Sequence, residues 1–136
     1  MPQKLSGGCA CGAVRYETAA EPILMLNCHC RHCQQASGGG YAPTLVVPKA
    51  SVKFAGEPRY HRRAGDAGAV ERGFCPTCGS PIALILERMP DLIALQAGSL
   101  DDPSLFKPAM DIFTASAQSW DYMHPDVPKR PHGIQG

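Results

Sequence analysis

The chain has 136 residues, of which 44% are hydrophobic and 18% charged, and a formal net charge of +1. That length and balance specify one globular domain with a modest core and exclude a disordered chain. Near-neutral charge removes any global electrostatic reason to bind nucleic acid or a membrane surface, and no apolar run approaches the roughly 18 residues that span a bilayer.

Met1 to Gly8 lack the apolar stretch of a signal peptide, so the expectation is a cytoplasmic protein with reduced thiols. Thirteen prolines and fourteen glycines disfavour helix interiors and point to short strands joined by turns. The seven cysteines fall into three clusters: Cys9 and Cys11, then Cys28, Cys30 and Cys33, then Cys75 and Cys78. An odd count with Cys-x-Cys spacing suits shared metal ligation better than a disulfide framework.

In chain order, Gly7 to Glu17 reads as a Gly-rich turn continuing into a strand, with Val14 and Tyr16 alternating against Arg15 and Glu17. Cys9 and Cys11, two apart in extended chain, project to one face. Glu21-Pro22 breaks this strand, and Ile23 to Leu26 forms a second, well-buried one. A helical turn begins near His32 and stops at Gly38-Gly39-Gly40. Tyr41 to Val47, Ser51 to Gly56 and Tyr60 to Arg63 follow as strands or strand edges, and Gly65-Asp66-Ala67-Gly68 as a turn. Val70 to Phe74, Pro81 to Leu86 and Leu92 to Ala97 are further strands. Met110 to Phe113 is the last strand, and the proline-rich remainder wraps the surface. The fold class is mainly β in one domain.

Cys75-Pro76-Thr77-Cys78-Gly79 is a zinc-knuckle pattern: two intervening residues aim both sulfurs at one ion, and Gly79 permits the positive φ of a tight turn. Cys9 and Cys11 complete a closed Cys₄ structural zinc site. A redox pair of thioredoxin type is the competing reading of Cys75 and Cys78, but it needs a βαβ setting that these surroundings do not offer. Cys28, Cys30 and Cys33 supply three sulfurs only. Three protein ligands leave a fourth position for water or a substrate such as a thiolate, and the alternative is a second structural site closed by His29, His32 or His61. A metal-free triad of reactive thiols is a third possibility. Arg31, His29 and His32 can offset the charge of three thiolates on a divalent ion or move protons. Taken singly, each histidine reads as exposed or bonded to a backbone carbonyl.

Gly8 to Tyr16, Cys28-His29-Cys30-Arg31-His32-Cys33 and Phe74 to Ser80 together resemble the glutathione-dependent formaldehyde-activating family, which includes centromere-protein-V-like members. The resemblance runs from Gly8 to about Pro128 and implies a single family-type domain over residues 1–136, with its core at about 5–128. It implies a β-tent fold in which Cys9, Cys11, Cys75 and Cys78 hold a structural zinc. It further implies that Cys28, Cys30 and Cys33 form a second zinc site that carries the activity and binds glutathione. The implied chemistry is that of a carbon–sulfur lyase run toward addition of a small thiol to formaldehyde or another aldehyde. Relatives commonly carry histidine where Asp111-Ile112-Phe113 has aspartate, and a Trp at the place of Trp120, a core or pocket-wall position. Gln34, Ser37 and Tyr41 are candidate pocket residues by proximity.

Other readings are a non-catalytic, zinc-stabilised binding module and a nucleic-acid-binding version using Arg62-Arg63 and Lys129-Arg130. A methionine sulfoxide reductase would need a nucleophilic cysteine outside the clusters, and there is none.

Overall fold

A computed structural model describes residues 4–65 and 68–134. Among them are ten strands and one α-helix, so the chain is mainly β. In chain order the elements are β1 (Leu5–Gly8), β2 (Arg15–Thr18), β3 (Leu24–Cys28), α1 (Arg31–Ser37), β4 (Ala42–Pro48) and β5 (Lys53–Ala55). After them come β6 (Arg59–Arg63), β7 (Val70–Phe74), β8 (Pro81–Leu86), β9 (Leu92–Gln96) and β10 (Met110–Ile112). No helix among the described residues is long and apolar enough to cross a membrane.

The strands form two sheets. The smaller has the order β1-β2-β5, and the larger β10-β3-β4-β9-β8-β7-β6. Every pairing is antiparallel except β10 on β3. The core lies between the sheets. Leu45, Val47, Ile82, Ile93 and Leu95 of the larger sheet are essentially solvent-free and share one cluster with Leu5, Val14 and Tyr16 from the smaller side. The centre of the larger sheet, β4-β9-β8, is also the most apolar stretch of the sequence, as burial on both faces demands.

Two glycines carry local geometry. Gly7 has no room for a side chain, since a Cβ there would lie 2.4 Å from the Tyr16 hydroxyl, itself 2.5 Å from Ser99 Oγ. Gly38 takes φ 77° and ends α1 by returning its N–H to Gln34 O at 2.9 Å, the left-handed cap expected of that glycine run.

The strands fall close to their expected places, with one difference near the start. Gly7 and Gly8 lie in β1, and Cys9 to Cys11 occupy the turn after it rather than a strand face. The Cys9 and Gly12 amides, bonded to Val14 O and Cys9 O, fold that turn tightly. Trp120, expected in the core or a pocket wall, is 58% exposed. The expected turn at Gly65 to Gly68 is closed by Gly68 N donating to Gly65 O at 3.1 Å, while Asp66 and Ala67 lie outside the described residues.

Leu45 sits at the middle of β4 with no exposed surface. Leu45→Ala is expected to cost about 2–5 kcal/mol of unfolding free energy in urea, from lost burial plus a cavity.

Candidate metal centres

The seven cysteines are free thiols and form two groups. The sulfurs of Cys9, Cys11, Cys75 and Cys78 lie within 4.8 Å of one another, as do those of Cys28, Cys30 and Cys33, and either group can hold a metal ion.

The first group is built from two tight turns. In one, Gly79 takes φ 81° and donates to Cys75 O at 2.8 Å, while Thr77 and Cys78 amides point at Cys75 Sγ at 3.4 Å. In the other, the Val14 amide reaches Cys9 Sγ at 3.2 Å. Ser80 stitches the turns together, its hydroxyl accepting from Ala10 N at 3.0 Å and lying 3.2 Å from Cys78 Sγ. Cysteine spacing does not single out Ser80; its place directly after the knuckle glycine is the signal that marks it.

Sulfur separations provide a test of fit. A tetrahedron with metal–sulfur bonds of about 2.3 Å has edges of about 3.8 Å. Cys9 Sγ is 3.6 Å from Cys11 Sγ, which is 3.7 Å from Cys75 Sγ. The donor set and its spacing therefore suit a four-sulfur metal site. The thiols also divide in acidity. The Ser80 hydroxyl and amide hold Cys78 at about 5, and the Val14 amide lowers Cys9. For Cys11 the Ala13 amide favours the thiolate, yet burial and the three neighbouring sulfurs push it up to about 11. Four thiolates can coexist here only around a cation.

The triad sits where β3 meets α1. Cys28 ends β3, and Cys30 caps α1, its Sγ accepting from the Cys33 amide at 3.3 Å. Cys33 points inward from the first turn and is buried, while Cys28 and Cys30 are partly exposed. Hydrogen bonds from Cys28 and then Cys33 pull Cys30 far below the ordinary thiol range. Hydrogen bonding to Cys30 and Cys33, with burial, drives Cys28 upward. Cys28 eases Cys33 downward, but Cys30 and burial outweigh it and leave Cys33 at about 11.

His29 departs from its expected environment. It is fully buried, with Nε2 2.8 Å from Asp111 Oδ1 and Nδ1 2.5 Å from Asp121 Oδ2. An imidazole meets a carboxylate at both nitrogens only when both positions have a proton between them. Lys129 Nζ lies 2.8 Å from the second Asp111 oxygen, and Asn27 Nδ2 donates to Asp111 Oδ1 at 3.0 Å. Burial would raise Asp111, but Lys129, His29 and Asn27 together hold it below the usual carboxylate range. Parallel pairing of β10 with β3 sets Asp111 opposite Asn27, which brings the carboxylate to the ring. Tyr41 packs against the imidazole, its ring centroid 5.0 Å from that of His29.

Of the other expected site residues, Gln34 is buried and donates to His29 O at 2.8 Å and Ser116 O at 3.0 Å. Arg31 is turned toward Gln34 Oε1, and Ser37 is exposed near the end of α1. His32 is half-buried beside Gly65. His61 stands on β6, exposed. Arg72, which no motif marks, places Nη2 3.9 Å from Cys33 Sγ. Its only signal in the sequence is that of a single basic residue in a strand.

Comparison with known proteins adds three likenesses. A family model described as "Glutathione-dependent formaldehyde-activating enzyme" matches residues 4–116. A curated protein of Halomonas elongata, named "Putative glutathione-dependent formaldehyde-activating enzyme", is 33% identical over 106 residues, covering 71% of this chain and 66% of its own length. In fold alone, a crystal structure of a Rhodobacter sphaeroides protein is similar at TM-score 0.59 and 18% identity, covering 76% of this chain and 96% of that one.

Two outcomes follow from these centres. Stripping metal with a chelator is expected to abolish the cooperative unfolding transition followed by circular dichroism, because free energies of roughly 10–16 kcal/mol attend structural zinc binding. His29→Ala leaves two buried carboxylates without their shared partner, and is expected to cost about 3–5 kcal/mol in denaturant titrations of metal-loaded protein.

Proposed function

We propose that this chain, which belongs to the glutathione-dependent formaldehyde-activating family, is an enzyme that adds a small thiol such as glutathione to formaldehyde or a related aldehyde. The observation that carries the reading is a family match over residues 4–116 that includes a three-sulfur cluster with no fourth cysteine. Cys9, Cys11, Cys75 and Cys78 hold a structural zinc in this proposal, and Cys28, Cys30 and Cys33 hold a second. The whole chain acts as one domain of β-tent type in the cytoplasm, using neither nucleic acid nor a membrane.

The reaction is an addition. The thiol loses its proton, its sulfur forms a bond to the carbonyl carbon, and the π pair moves to oxygen, which takes up a proton to give the S-hydroxymethyl product. A zinc ion held by Cys28, Cys30 and Cys33 would supply Lewis acidity, lowering the thiol pKa or polarising the carbonyl. The chain's own residues do the rest. Cys28, at the end of β3, and Cys30 and Cys33, at the start of α1, fix three corners of the site. Arg72 faces Cys33 and provides positive charge from the β7 side. His29 is engaged by Asp111 and Asp121, so in this proposal it fixes the chain between Cys28 and Cys30 rather than shuttling protons. Half-buried His32, the neighbour of Cys33 in the chain, takes proton movement in this proposal.

Asp111 bears on this reading directly. Where relatives resemble His-Ile-Phe, the aspartate here pairs with His29, so an imidazole–carboxylate contact next to the triad is built from these two positions.

NMR exchange spectroscopy on glutathione and formaldehyde tests the proposal. Native protein is expected to speed their equilibration, and Cys30→Ser to return it to the uncatalysed rate. A native protein without effect, holding a single zinc and lacking thiol affinity, favours the non-catalytic binding module.

A further inference from the structure

We propose that Arg72 is the anion-holding residue of the Cys28–Cys30–Cys33 site, its Nε–Nη2 edge taking the thiolate of the bound small thiol. This rests on the reading of the triad as a thiol site given above.

The strand order makes the contact informative. β7 is four places from β3 in the larger sheet, about 19 Å along a flat sheet at ordinary strand spacing. Arg72 nonetheless reaches Cys33, so α1, which packs on β4, carries Cys33 within side-chain reach of β7. His32 beside Gly65 and Arg63 donating to Gln35 Oε1 at 2.7 Å show the β6–β7 hairpin closing over the same helix.

A guanidinium binds anions best through two parallel donors. Arg62, in the same hairpin, uses its Nε and Nη2 together on the Glu87 carboxylate, at 2.7 and 3.1 Å. In Arg72 the corresponding edge is half used. Nη2 meets Cys33 Sγ at 3.9 Å, while Nε is buried and has no hydrogen-bond partner among the described residues. A buried N–H without an acceptor is costly, and this one sits on the edge that already faces the cluster.

Charge gives the edge its occupant. Three thiolates on a divalent ion carry a formal −1, and a fourth thiolate makes −2. A guanidinium, charged at any working pH, offsets that addition. Arg31 and Arg63 are directed to Gln34 and Gln35 instead, and His29 is enclosed by carboxylates. Arg72 is thus the cation in contact with a triad sulfur, and the carboxylate-free part of any thiol, its sulfur, is what that edge recognises.

The test uses full-length protein loaded with Co(II) at both centres and titrated with 2-mercaptoethanol, which has no carboxylate, following thiolate-to-cobalt charge-transfer absorption. Arg72→Gln is expected to raise the dissociation constant by about tenfold or more, and Arg72→Lys, which keeps charge without the two-donor edge, by a smaller factor. Absorption from the Cys9, Cys11, Cys75 and Cys78 centre stays at its native level. Variants that bind 2-mercaptoethanol as tightly as native protein overturn the assignment to Arg72 alone. A native spectrum indifferent to the thiol overturns the thiol-site reading and this inference with it. Should Arg72→Gln not fold, Arg72→Lys decides: weakened binding supports the inference, and native binding overturns it.

Discussion

Mutual repulsion of crowded thiolates is the constraint on which this fold turns. Sulfurs 3.6 and 3.7 Å apart cannot ionise together unless a cation stands among them. The chain nonetheless gathers four of them from turns 64 residues apart in sequence. The Val14 amide at Cys9 Sγ, the Thr77 and Cys78 amides at Cys75 Sγ, and Ser80 beside Cys78 prepare those sulfurs for negative charge. The turns also join the two sheets: Cys9 follows β1 of the smaller, and the Cys75 turn links β7 to β8 of the larger. A cation there acts as a cross-link at the rim of the core, where Cys75 itself is fully buried.

At the triad a different force organises the surroundings. The strap after β10 leaves Trp120 and Tyr122 exposed rather than packed in the core, and polar contacts hold it. Asp111 N and Arg130 N donate to Pro128 O and Asp111 O, each at 2.8 Å, while Asp121 reaches His29 and Lys129 reaches Asp111. Two carboxylates, an imidazole and an ammonium therefore share one largely dry volume. Buried ionic groups of this kind contribute less to net stability than to a unique arrangement, since any displacement strands a charge. Here the arrangement they enforce is the position of residue 29, and with it the two cysteines on either side.

Periodicity and turn chemistry make most of the strands readable from sequence: β7 and β8 lie where alternation and apolar runs put them, and Gly38 ends α1 as its run of glycines implies. Cysteine spacing likewise reveals both sulfur groups, because metal ligation leaves short fixed intervals. What stays hidden depends on long-range packing. Nothing near His29 in sequence announces Asp111 or Asp121, since the parallel docking of β10 on β3 brings in the first and the segment after β10 the second. Arg72 is equally silent, because only the packing of α1 on the sheet brings Cys33 to it. Alternation places Cys9 and Cys11 on a strand face, yet the tight turn closed by Val14 O overrides it.

The two centres differ in what completes them. The outer group has four sulfurs with backbone amides behind them, a donor set that would fill a tetrahedral metal ion. The triad has three sulfurs from one short stretch of strand end, cap and first helical turn, and the charged group that meets it is a guanidinium from another part of the sheet. Local chain folding places those three sulfurs, and the β6–β7 hairpin presents Arg72 to one of them. A guanidinium in that direction offsets the negative charge of the sulfurs and attracts anions. That difference, four sulfurs in one group and three sulfurs with a guanidinium in the other, is what the proposed division into a structural and a thiol-binding site rests on.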